Sequence, residues 1–97
     1  MTSKKPSFAN ALRTARVAQG LSQEALGELS SRTYVSTLER GLKSPTLSKV
    51  EQLASMLHVH PLTLLVMAYA NVGSASDVDQ IFAKVRAELQ VVGRAPR

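Results

Sequence analysis

The stretch Gly20-Leu21-Ser22-Gln23-Glu24-Ala25-Leu26-Gly27-Glu28-Leu29-Ser30-Ser31-Arg32-Thr33-Tyr34-Val35-Ser36-Thr37-Leu38-Glu39-Arg40-Gly41 decides the fold. Ser22 precedes a run in which Ala25, Leu26 and Leu29 recur at helical spacing, and Glu24 stands in the first turn, where an acid favours the positive end of the helix dipole. Ser30-Ser31 breaks this helix, Ser31 can cap the next, and that next helix runs from Arg32 to Arg40 before Gly41 stops it. Val35 and Leu38 are its only strongly apolar members, so most of its surface is free for contacts other than the protein's own core.

Upstream, Ser7 caps a helix carrying Phe8, Ala11, Leu12, Ala15 and Val17 to about Gln19, with Gly20 as its left-handed terminator. Residues 1–6, with Lys4-Lys5-Pro6, form a flexible basic arm. Downstream, Lys43-Ser44-Pro45 is a loop, and Thr46 caps a helix whose apolar stripe is Leu47, Val50, Leu53, Ala54 and Leu57. His60 caps a fifth helix with Pro61 at its first position, where a missing N–H costs nothing. That helix is apolar nearly all round through Leu62, Leu64, Leu65, Val66, Met67 and Tyr69, and so needs cover on two sides. After a hinge at Gly73-Ser74-Ala75, Ser76 caps a sixth helix, residues 76–92, with Val78, Ile81, Phe82, Val85, Leu89 and Val92 on one stripe. No β-branched run alternates over a strand length. The expected class is all-α: a compact bundle of five short helices over residues 7–72, plus a C-terminal helix and tail over 73–97.

Ninety-seven residues suffice for one compact domain. The absence of cysteine excludes a disulfide scaffold, a thiol nucleophile and the common structural zinc sites. The start, Met-Thr-Ser-Lys-Lys-Pro, lacks the apolar run of a secretory signal, and Pro61 to Val72 falls short of the roughly 20 residues a membrane span requires. A cytoplasmic protein with no membrane partner is expected. The net charge of +5 is N-terminal: residues 1–49 hold eight Lys/Arg against three Asp/Glu, and residues 50–97 hold four of each. This asymmetry fits a front half that meets a polyanion. His58 and His60 have no third ligand near them in sequence, so no metal is expected. Glu24 with Glu28 and Asp77 with Asp79 read as helix-start acids, with no proton relay and no phosphate-cradling glycine loop beside them. Neither catalytic residues nor a cofactor are expected.

Several short motifs agree in order and spacing with a known family. They are Phe8-x-x-x-Leu12-Arg13-x-x-Arg16, Gly20-Leu21-Ser22-Gln23-Glu24-x-Leu26, Arg32-Thr33-Tyr34-Val35-Ser36-x-Leu38-Glu39-Arg40-Gly41, Ser44-Pro45-Thr46-Leu47, and Leu53-Ala54 through Val59 with Leu62 and Leu65. The chain resembles the phage-repressor and Cro-like helix-turn-helix regulators, the XRE family, over more than half its length. Within that family the start Arg-Thr-Tyr-Val-Ser is similar to controller proteins of restriction-modification operons. The resemblance implies a transcription regulator, repressor or activator, that binds double-stranded DNA with the helix 32–40 in the major groove. Arg32, Thr33 and Thr37 then touch base edges, with Ser36 close behind. Arginine suits guanine through its forked donors, and a threonine methyl can meet a thymine methyl. Gln23, Tyr34, Arg40, Lys43 and Ser44 are candidates for phosphate. Tyr34 could equally be a core or rim aromatic with its hydroxyl at the surface.

The resemblance also implies a structural ion pair between Arg16 and Glu39. One departure stands out: the connection Leu29-Ser30-Ser31 has no glycine and is about two residues shorter than is usual for the motif. Either the second helix ends early or the recognition helix starts at another tilt. The sixth helix could fold back on its own domain or pack with the fifth across a two-fold axis, making a homodimer through Leu65, Tyr69, Ile81, Phe82, Val85 and Leu89. The competing reading is an antitoxin-like or adaptor module whose C-terminal helix binds another protein.

Overall fold

In the computed structural model, residues 7–29, 31–70 and 73–94 are described. The expected basic arm at 1–6, Ser30, the side chains of Glu28 and Leu29, residues 71–72 and the tail at 95–97 lie outside the described residues. Six helices follow in order: α1 (Phe8–Ala18), α2 (Gln23–Leu29), α3 (Arg32–Glu39), α4 (Leu47–Met56), α5 (Pro61–Tyr69) and α6 (Ala75–Val92). No strand occurs among the described residues.

Each helix begins where a side chain satisfies an orphan backbone N–H. The Oγ atoms of Ser7, Ser22 and Ser31 accept from the N–H groups of Asn10, Ala25 and Tyr34 at 3.1, 3.0 and 3.2 Å. Thr46 Oγ1 accepts from Lys49 N–H at 3.1 Å, and the His60 ring Nδ1 accepts from Leu62 N–H at 3.0 Å. The sixth helix corrects the sequence reading: its cap is Ser74, not Ser76. Ser74 Oγ reaches the Asp77 N–H at 3.2 Å and puts that acid in the first turn, so the helix starts earlier than expected. At its other end α3 stops at Glu39, with Arg40 as its C-cap rather than its last residue, and Gly41 turns the chain away at φ +73°.

The apolar stripes of α1 to α5 converge on one core of Leu12, Ala15, Leu26, Val35, Leu38, Leu53, Ala54, Leu57 and Leu64. Helix α1 packs on α3 and α5, α2 on α3, and α4 on α5. The Ser7 N–H also donates to the Ala68 carbonyl at 2.9 Å, tying the start of α1 to the end of α5. Burial of each leucine contributes about 1.5–3 kcal/mol, so this cluster fixes the mutual angles of the five short helices. One residue of the expected α1 stripe and one of the expected α4 stripe are exposed instead. Val17 is 60% exposed, because it lies about 200° round the helix from Ala15. Leu47 is 73% exposed, because the first residue of α4 projects past the edge of the core.

The cover expected on two sides of α5 is only partly supplied. Leu64 is buried, while Leu62 and Tyr69 are 61% and 65% exposed. Helix α6 packs against α5 and buries none of its own residues. No helix among the described residues is long and apolar enough to cross a membrane.

Candidate nucleic-acid interface

Helices α2 and α3 are separated by only two residues, and α2 nevertheless keeps its full length to Leu29. Gly27 permits this. A Cβ built there would stand 2.6 Å from Arg32 Cα and 2.9 Å from its backbone nitrogen, distances that real Cβ atoms do not tolerate. The glycine missing from the short connection therefore sits one turn earlier, inside the helix, where it lets the start of α3 lie directly against α2. Gly27→Ala is expected to destabilise the fold by about 1–3 kcal/mol, despite the roughly 1 kcal/mol that alanine gains over glycine in a helix interior. Urea denaturation measures this, and loss of sequence-selective DNA binding is expected to accompany it.

Behind α3, a partly buried polar network fixes its C-terminal half. Arg16 Nε donates to Glu39 Oε2 at 2.6 Å and Nη2 donates to Oε1 at 3.0 Å, a bidentate pair whose side chains are only 11% and 3% exposed. Arg16 Nη1 donates to the Leu21 carbonyl at 2.7 Å, and Gln23 Nε2 donates to Glu39 Oε1 at 3.0 Å. One carboxylate thus joins α1, the start of α2 and the end of α3. Burial by itself would push the Glu39 carboxyl up, but hydrogen bonds from Arg16 and Gln23 and the positive charge of Arg16 and Arg13 hold it below its ordinary value. The hydrogen bond to Glu39 likewise raises the Arg16 guanidinium. A carboxyl with a depressed folded pKa stabilises above its unfolded pKa, and that contribution is lost as pH falls through the folded value. Below about pH 4, Glu39→Gln is therefore expected to lose less of its remaining stability on acidification than the parent, as read from urea unfolding at a series of pH values.

With its inner side anchored by buried Val35 and Leu38, α3 turns its polar residues outward. Arg32 and Thr33 are exposed; Ser36 and Thr37 are half-buried. The Thr37 hydroxyl donates to the Thr33 carbonyl at 2.7 Å, which commits its hydrogen to the helix and leaves its methyl group and lone pairs for a neighbour. Arg32 Nη2 lies 3.3 Å from Glu24 Oε1, with both side chains 69% exposed. A pair so open to water is weak, and the guanidinium can leave it for a better acceptor. Around this face, Arg40, Lys43 and Ser44 are exposed beyond the end of α3, Gln23 is half-buried beside Glu39, and Tyr34 is half-buried.

Three participants escaped the sequence reading. Glu24 stands at the positive end of the α2 dipole, and its carboxylate also lies within ion-pair distance of Arg32. Gly27 carried no signal because its neighbour is five residues away. Lys49 lies on α4, with Nζ 5.3 Å from the centre of the Tyr34 ring and donating to Gln52 Oε1 at 3.1 Å. It adds a cation beside the tyrosine that no local spacing foretells. Among the described residues no group of three His, Cys, Asp or Glu side chains is placed to hold a metal ion.

Two short helices in close contact, the second held from behind and bare in front under a basic rim, define a DNA-binding protein of helix-turn-helix type. The helix-turn-helix family matches residues 12–64, more than half the chain, and the protein belongs to that family, with the Cro and phage-repressor type of transcription regulator as its kind. Among solved structures it is similar to the restriction-modification controller protein C.AhdI from Aeromonas hydrophila. The two are 42% identical over 60% of this chain and 91% of that one, with a TM-score of 0.56. Comparison with curated protein sequences gave no match.

Proposed function

We propose that the protein is a homodimeric regulator that reads a short, roughly palindromic operator by setting α3 in the major groove. The observation that carries this reading is the bare outer face of α3, with Arg32 and Thr33 exposed on a helix whose inner face is locked into the core. Arg32, Thr33, Ser36 and Thr37 meet base edges; Gln23, Tyr34, Arg40, Lys43 and Ser44 meet phosphates. Arg16 and Glu39 hold the reading helix at its angle and touch no DNA. The likeness to C.AhdI supports a controller's role at restriction-modification genes.

One eight-residue helix reads only a few base pairs, so a useful operator calls for two copies on half-sites about 34 Å apart. The surface left open beside α5 supports the pairing. Leu65, Tyr69, Ile81, Phe82 and Val85 line part of an apolar groove of about 450 Å³ between α5 and α6, and Leu89 continues it. Apolar surface of this kind, contiguous and unpaired, marks an association site.

Selection of binding sites from random duplex DNA at a stated salt concentration tests the reading. An inverted repeat with half-sites one turn apart is the expected product. Equal affinity for every duplex at physiological ionic strength would remove sequence-specific recognition from the proposal.

A further inference from the structure

Helix α6 has an organisation that its contact with α5 does not use. Val78 and Ile81 are half-buried, but from Phe82 to Arg94 every residue is exposed, including Leu89 at 64% and Val92 at 69%. A segment of this length standing free is marginal as a helix in water, because the costly first turn is repaid only by a longer run or by packing. Five of its large apolar residues, Val78, Phe82, Val85, Leu89 and Val92, stand at steps of four, three, four and three, with Ile81 and Val91 beside them. That is the seam spacing of a coiled coil, and Ala75 extends it at the N-terminal end.

We infer that α6 pairs antiparallel with α6 of a second copy of this chain, in a register set by Asp79 facing Arg86 of that copy. The direction follows from the charges beside the seam. Asp79 and Arg86 lie on one edge of it, Ile81 and Glu88 on the other. In an antiparallel pair like edges meet, so when Phe82 faces Val85 of the other copy, Val78 faces Leu89, Ala75 faces Val92, and Asp79 meets Arg86 twice by symmetry. In a parallel pair opposite edges meet, placing Ile81 against Arg86 and Glu88 against Gly93, with no complementary charges. Asp79 and Arg86 are both exposed and have no ion-pair partner within the described residues of their own chain. The other edge offers no such match: Ile81 is half-buried, and Glu88, whose Oε2 lies 3.8 Å from Lys84 Nζ, has no residue of opposite charge at the equivalent position Ile81.

The inference rests on the homodimer proposed above and adds its seam and direction. Sedimentation equilibrium of the full chain at low ionic strength tests both separately. The parent is expected to be a dimer at micromolar concentration. Asp79→Arg sets like charges opposite each other, as does Arg86→Asp, and each is expected to weaken the dimer about tenfold. The two changes together restore the attraction and are expected to return the dissociation constant to within about threefold of the parent, while an equimolar mixture of the two single variants forms mixed dimers in preference. A parent dimer indifferent to all three variants, or single defects that the double variant does not repair, overturns the antiparallel seam and leaves the dimer standing. A monomeric parent overturns the dimer and the seam together. Both positions are exposed, and circular dichroism confirms that each variant is folded.

Discussion

Glu39→Ala is expected to cost about 3–5 kcal/mol, a large share of the 5–15 kcal/mol typical of a small domain. The loss exceeds that of the missing hydrogen bonds, because what remains is a guanidinium only 11% exposed with two of its donors unanswered, beside a Gln23 amide that has lost its acceptor. Thermal unfolding is expected at least about 12 °C lower, given 4–8 °C per kcal/mol for a domain of this size. Where the variant stays folded, its preference among DNA sites is expected to match the parent's. Replacing both partners with apolar residues of similar volume is expected to recover most of the loss, since no charge is then left buried without a partner. A variant as stable as the parent but with altered site preference would move Glu39 from the scaffold to the reading face.

Arg32→Ala is expected to act in the opposite way. The side chain is 69% exposed and its ion pair with Glu24 is weak, so stability is expected to change by no more than about 0.5 kcal/mol. Affinity for the preferred operator is expected to fall by about 1–3 kcal/mol, about fivefold to more than a hundredfold, with the discrimination lost at the base pairs it reads. Arg32→Lys keeps the charge and loses the fork, and is expected to recover little of that discrimination. Lys43→Ala provides the contrast: a phosphate contact positions without reading, so its loss is expected to weaken all duplexes alike and lower the salt slope by about one. Competition binding over a panel of single-base operator variants separates these results. Uniform weakening by Arg32→Ala would make it one more phosphate contact.

Much of this arrangement was legible in the sequence because the governing interactions are local. Ser7, Ser22, Ser31, Thr46 and His60 announce helix starts within three residues of the groups they cap. The stripe of α4 was read correctly from Val50 to Leu57, but Leu47 was not, because periodicity gives a residue's side of the helix and not where the core ends along it. For the same reason α5 was recognised as needing cover that its own chain only half supplies. Glu24, Gly27 and Lys49 were missed for another reason: their partners Arg32 and Tyr34 lie across a turn or on a neighbouring helix, and no spacing rule connects them.

By itself the sequence determined that this chain is a set of helices, one of which, α3, has only two strongly apolar residues, since caps, stripes and glycine stops act over one or two turns. Only the tertiary structure decided how that helix is held. The close packing of α3 on α2 that Gly27 permits and the Arg16–Glu39–Gln23 network depend on atoms that come together once five apolar stripes have found a common core. Burial of those stripes is what sets the angles, and angles between helices are not encoded in any one of them.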